Sequence, residues 1–192
     1  MFPYKSYPFI IAHRGASGLV AHGNTLESFL KAIELEIPMM EFDVRKTDDD
    51  QLVCFHDEGL DEFKIASLTY SQLAEKAHKF GFHIPLLEEV LHLSQGKIHL
   101  DIEFKETGYE EVVIALVKQY FDYHEYVMKS FIDTCIKRIK QIDPLIRTGL
   151  LLGIWRPQRL IRTRLSELFP EYRIWKTQAD FVSPNYQLLQ FG

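Results

Sequence analysis

Hydrophobic positions along the chain alternate between two periods. Short runs with a two-residue period or continuous apolar character predict strands at Phe9–His13, Met39–Val44, Leu52–His56, Ile98–Phe104, Tyr126–Phe131, Thr148–Leu152 and Asp180–Ser183. Between most of them the spacing becomes helical. Asn24 followed by Glu27 predicts a capping pair ahead of Leu26, Phe29, Leu30 and Ile33, and Pro38 ends that segment. Thr69 with Gln72 predicts a second start, closed by Gly81. Pro85 suits a first helical position before Leu87, Val90 and Leu91, with Gly96 as the end cap. Val112, Val113, Leu116, Val117 and Tyr120 mark a fourth helical face, and Cys135, Ile136, Ile139 and Ile142 a fifth. A sixth is expected to open at Pro157 and bury Leu160, Ile161, Leu165 and Leu168.

Alternating strands and helices predict a parallel sheet with crossover helices. One connection departs from this. Residues 45–51 are too few for a crossover helix, so the next strand is expected to fold back as a hairpin arm. Its turn is Thr47-Asp48-Asp49-Asp50, which brings His56 roughly opposite Asp43. The expected fold is therefore α/β: a TIM-type (β/α)8 barrel lacking about its last two βα units, with a β-hairpin excursion after the second strand. It is expected as one domain over residues 1–192, short at its C-terminus. Such an open barrel exposes two strand edges, which self-association, a partner or a rearranged C-terminus would cover.

Composition narrows the class. With 192 residues, 46% hydrophobic and 26% charged, the chain can bury a sizeable core without staples. Its net charge of -5 gives no electrostatic case for nucleic acid or an anionic membrane. The one basic cluster, Arg156, Arg159, Arg162 and Arg164, reads as a solvated helix face. No apolar run approaches the ~20 residues of a transmembrane segment. The opening Met-Phe-Pro-Tyr-Lys-Ser-Tyr has no secretory character. Cys54 and Cys135 lie far apart in apolar surroundings and read as buried hydrophobes of a reducing compartment, so a cytoplasmic location is expected.

The candidate chemistry sits at strand ends. His13-Arg14-Gly15 closes the first strand and His56-Asp57 closes the arm. Glu41 and Asp43 share one face of the second strand, while Phe42 and Val44 take the other. Asp101, Glu103 and Lys105 likewise share a face. A strand-end Asp or Glu taken singly solvates a rim; two His, one Arg, one Lys and three carboxylates together point to a site. Two carboxylates ~4 Å apart repel by about 4 kcal/mol at an effective dielectric of 20. Glu41, Asp43 and Glu103 converging on one point therefore call for a cation, and all-oxygen ligands select Mg²⁺ or Ca²⁺.

His13-Arg14-Gly15, Glu41-x-Asp43 and His56-Asp57 resemble the signature of glycerophosphodiester phosphodiesterases. Asn24-Thr25, Glu103-x-Lys105 and Ser130-Phe131 extend the resemblance through most of the chain. It implies a metal-dependent (β/α)8 enzyme that hydrolyses glycerophosphodiesters to glycerol 3-phosphate and an alcohol. By position it implies His13 and His56 as the acid/base pair, Arg14 and Lys105 on the phosphate, and Glu41, Asp43 and Glu103 on the metal. Two segments depart from the family pattern. His22-Gly23-Asn24-Thr25 stands where relatives have Pro-Glu-Asn-Thr, and Leu60-Asp61-Glu62-Phe63-Lys64 where they have Leu-Asp-Arg-Thr-Thr. The alternatives are another phosphodiester, such as a lysophospholipid or a sugar phosphodiester, and a non-catalytic remnant that binds phosphate or a partner.

Overall fold

The two hydrophobic periods separate in space into an inner sheet and an outer layer of helices. The computed structural model describes residues 9–153, 160–185 and 188. In chain order the elements are β1 (Ile11–Ala12), α1 (Leu26–Glu34), β2 (Met39–Lys46), β3 (Leu52–Cys54), β4 (Gly59–Leu60), β5 (Phe63–Lys64), α2 (Tyr70–Lys79) and α3 (Leu87–Ser94). They continue with β6 (His99–Phe104), α4 (Glu110–Val117), β7 (Tyr126–Ser130), α5 (Asp133–Ile142), β8 (Thr148–Leu152), α6 (Leu160–Leu168), α7 (Glu171–Thr177) and β9 (Phe181–Pro184).

The main sheet runs β1-β2-β6-β7-β8-β9, every neighbouring pair parallel, and curls into a half-barrel with helices on its convex face. β3 pairs antiparallel with β2, as the short connection requires. Its register places Val44 opposite Cys54, and the next main-chain bond runs from Phe55 N–H to the Asp43 carbonyl. Phe55, not His56, therefore faces Asp43. The reason is the turn: Thr47 N–H closes on the Gln51 carbonyl, shifting the hairpin by one residue from the expected pairing. The strand ends at Cys54, so His56 stands on the loop beyond it.

Phe42, Val44, Ile102, Phe104 and Met128 point outward and pack with Phe29, Leu91, Val113 and Ile139 of the helices in one core. Each such side chain contributes about 1.5–3 kcal/mol when fully buried. A second, smaller core of Val53, Leu60, Ile65, Leu68, Leu73, Ala77 and Ile84 lies beneath the arm. The arm therefore has its own support, up to the loop that follows it.

Several helix starts differ from expectation. Thr25, not Asn24, caps α1: its side chain accepts from Ser28 N–H while the Ser28 hydroxyl accepts from Thr25 N–H. Asn24 is in the left-handed region at φ 56° and its side chain is engaged elsewhere. Thr69 and Gln72 form the expected capping box of α2. Pro85 precedes α3 by two residues because its carbonyl accepts from Cys54 N–H, and Glu89 caps Leu86 instead. In α6, Leu165 and Leu168 are exposed, against expectation. Among the described side chains of α6 the buried one is Glu167, which accepts from Gly153 N–H at 2.9 Å and pairs with Arg164. The opening at Pro157 and the side chains of Leu160 and Ile161 lie outside the described residues, as do Arg156, Arg159 and Arg162. Both cysteines are buried and free. Among the described residues no helix is long and apolar enough to cross a membrane.

Candidate active site

The parallel register of β2 and β6 sets Glu41 beside Asp101 and Asp43 beside Glu103, all facing into the curl of the sheet. The alternation that buries Phe42 and Ile102 under helices forces these carboxylates inward. Glu41, Asp43 and Glu103 are buried, and each offers a carboxylate oxygen within 4.8 Å of the other two.

The loop after β1 folds tightly over this trio. Arg14 at φ 54° and Gly15 at φ 70° both occupy the left-handed region. A Cβ on Gly15 would lie 2.6 Å from the Ser28 backbone, so only glycine passes there. The turn aims Arg14 N–H at Glu41 Oε2 (2.9 Å) and Gly15 N–H at the Glu41 carbonyl (3.1 Å). It also sets Arg14 Nε 3.3 Å from Asp43 Oδ2 and His13 Nε2 3.9 Å from Glu41 Oε2. Asn24 donates from Nδ2 to Asp43 Oδ2 at 2.7 Å. Lys105 Nζ reaches Asp43 Oδ1 at 2.8 Å and Glu103 Oε1 at 2.5 Å. His56 stands at the end of the arm, its Nδ1 2.7 Å from Asp57 Oδ1.

All seven residues singled out by the sequence therefore meet at one end of the sheet. His13, Arg14 and His56 line a cavity of about 240 Å³ together with Asn24, Gly23 and Asp57. Its outer wall is aromatic: the His22 ring stacks on Phe82 at 4.6 Å between centroids, and Phe55 lies parallel to Phe82 at 6.3 Å. At the departing position, a Cβ on Gly23 would sit 2.9 Å from Ser17 Cβ and 3.0 Å from Arg14 Cβ. A larger residue there needs the His13-Arg14 loop to shift.

The electrostatics follow from burial. Burial first, then the charges of Asp43 and Asp101, push the Glu41 carboxyl up to about 8. Burial also raises Glu103, with Lys105 pulling against it. For Asp43 burial acts upward, but Lys105 and Asn24 outweigh it and hold the carboxyl below its usual value. Burial, reinforced by Arg14 for His13 and opposed by Asp57 for His56, lowers both imidazoles below 6.5. Three crowded hard oxygen donors, one of them with its carboxyl pushed up by burial and like charge, fit a divalent cation.

Five neighbours of the site were given no site role by sequence. Asn24 sits in a motif but reads there as a helix cap. Lys129, on β7 beside Glu103, pairs with Asp101 at 2.6 Å. Arg45 continues the Glu41, Asp43 alternation by one step, a signal present in the sequence. Phe82, far along the chain, carries none. Ser130 staples two strand ends, donating to the Phe104 carbonyl at 2.8 Å.

Two relatives align along most of the chain. One is a glycerophosphodiester phosphodiesterase of Caldanaerobacter subterraneus, 32% identical over 85% of this chain and 75% of its own length. The other is the Bacillus subtilis protein YhdW, 33% identical over 74% of this chain; the match spans 65% of its length. Among solved structures, an Oleispira antarctica phosphodiesterase in complex with the product sn-glycerol-3-phosphate superposes with a TM-score of 0.68 at 21% identity. It covers 95% of this chain and 96% of that one, and shares the fold. Residues 13–185 match the Glycerophosphoryl diester phosphodiesterase family, and the chain belongs to it.

Proposed function

We propose that this protein hydrolyses glycerophosphodiesters to sn-glycerol 3-phosphate and an alcohol, using a divalent cation and the His13/His56 pair. The observation that carries this reading is the buried trio Glu41, Asp43 and Glu103, ringed by Arg14, Lys105 and two histidines at the mouth of one cavity. Family membership and the product complex of the Oleispira relative support the substrate class.

Glu41, Asp43 and Glu103 would hold Mg²⁺ or Ca²⁺, which when bound neutralises phosphate charge. Arg14 and Lys105 add fixed positive charge where the phosphoryl oxygens gather charge in the transition state. One histidine accepts the proton of the attacking water and the other delivers a proton to the departing alkoxide oxygen. Burial lowers both pKa values, which keeps the lone pair of the accepting histidine available at neutral pH, while the delivering histidine enters the step protonated. Asp57 orients the His56 ring through Nδ1, leaving Nε2 for the reaction.

The aromatic wall of His22, Phe82 and Phe55 favours a second reading of the substrate, a lysophospholipid, since it offers apolar area for an acyl chain beside the histidines. Two buried free cysteines support a cytoplasmic setting. The outer edges of β1 and β9, at the two ends of the sheet order, are proposed as the surfaces for self-association.

The test is release of glycerol 3-phosphate from a panel of glycerophosphodiesters, in Mg²⁺, in Ca²⁺ and in excess EDTA. Metal-stimulated release supports hydrolysis. Absence of turnover by the folded protein on every diester favours a binding remnant instead.

A further inference from the structure

Arg45 extends the inward-facing series of β2 one step past Asp43, and its side chain is nine-tenths buried near the strand end. Its Nε and Nη2 both donate to the main-chain carbonyl of His56, at 3.0 and 2.7 Å. Nη1 pairs with the Glu106 carboxylate, on the residue that follows Lys105. Glu106 is anchored in turn: its N–H donates to the Tyr109 hydroxyl at 3.2 Å, and that buried hydroxyl lies 2.8 Å from the Val44 carbonyl.

The ladder between β2 and the arm stops at the bond from Phe55 N–H to Asp43. His56 is the first residue past it, so its peptide needs another partner to be fixed. The guanidinium supplies a two-pronged, charge-assisted one, and it does not deprotonate. Burying such a group is costly unless every donor that counts is used. Here three donors join two loops that carry site residues.

We propose that Arg45 is a positioning residue for His56: it fixes the height of the imidazole over Asp43 and ties that setting, through Glu106, to the strand end that carries Lys105. The inference rests on the reading of His56 as a proton-transfer residue. The Asp57 contact sets the rotation of the ring, and Arg45 sets the backbone from which the ring hangs.

The experiment uses the full chain with Arg45→Lys, Arg45→Met and Arg45→Ala. The expected result for Arg45→Met is a kcat lower by about 10- to 100-fold with KM for the diester within about twofold, since small misplacement of a reacting group costs rate. Lysine offers a single bond and gives an intermediate kcat. Guanidinium ion restores turnover to Arg45→Ala and not to His56→Ala. A second readout is independent of turnover. The imidazole NMR signals of His56 broaden or split in the Arg45 variants while those of His13 stay single. Wild-type kcat in Arg45→Lys with one sharp His56 signal overturns the proposal, as does a loss shared equally by kcat and 1/KM without rescue. A wild-type chain that hydrolyses no diester, with His56 signals that still broaden in the variants, rejects the hydrolytic reading and keeps the positioning role.

Discussion

Asn24 and Asp43 are bonded in both directions. The Asn24 amide donates to the Asp43 carboxylate at 2.7 Å, and the Asp43 N–H donates to Asn24 Oδ1 at 3.3 Å. Both residues are buried, so the pair locks the loop before α1 onto the middle of β2. Replacing Asn24 by alanine leaves the buried Asp43 N–H unsatisfied and its carboxylate held by Arg14 and Lys105 alone. Asn24→Ala is expected to destabilise the fold by about 1–3 kcal/mol, read by urea unfolding. It is also expected to lower metal affinity, because Asp43 is less firmly held in place.

The two histidines are expected to matter for rate and little for folding, since His13 is exposed and His56 half-buried. His13→Ala and His56→Ala should each lower kcat by about 10²- to 10⁴-fold with an unchanged melting temperature. Near-normal rates in either variant reject its proton-transfer role.

The pH profile has a defined sign. Burial lowers both imidazoles below 6.5, so the lone pair that accepts a proton persists below that pH. The acidic limb of kcat/KM is expected at a pH under 6.5. A bound cation beside His13 moves it further in the same direction. A limb centred above 6.5 contradicts this.

Metal removal has two expected signatures. Excess EDTA abolishes turnover, and added Mg²⁺ or Ca²⁺ restores it. With Glu41 pushed up to about 8, the metal-free protein holds that proton at pH 7 and sheds it when a cation binds. Calorimetry in buffers of differing ionisation enthalpy should therefore detect release of about one proton per metal at pH 7, falling off above pH 8. The same shift fixes the sign of stability. Glu41 is raised in the folded state, so its contribution is full below the unfolded value of 4.5. It is lost as pH rises from there through about 8 in the metal-free protein. Binding without proton release counts against this trio as the ligand set.

Beneath the site, Asp101 and Lys129 form an ion pair with side chains only 2% and 11% exposed. Lys129→Met leaves a buried carboxylate unpaired and is expected to cost about 3–5 kcal/mol. Asp101→Asn in that background should recover most of the loss. Additive losses in the double variant would falsify a direct pairing.

The periodic pattern of apolar residues was enough to read most of the strands, the antiparallel arm and the inward set of Glu41, Asp43, Glu103 and Lys105. A period of two assigns faces without knowledge of neighbours. Local chemistry likewise identified the Thr69 capping box, whose bonds lie within four residues. The rest depended on contacts distant in sequence. Asn24 has the composition of a cap, yet Asp43 draws its side chain away, and Thr25 caps the helix instead. Leu165 and Leu168 have helical spacing, yet both are exposed while Glu167 between them is buried and accepts from Gly153 N–H, a contact distant in sequence. Arg45 lay beyond the expected strand Met39–Val44, and its hold on the His56 carbonyl depends on the hairpin register, which sets that peptide just past the last ladder bond. Sequence by itself determined which side chains point inward, since that is a property of the local backbone. Which of them touch, and at what pKa, was decided by strand register and burial, which no local pattern encodes.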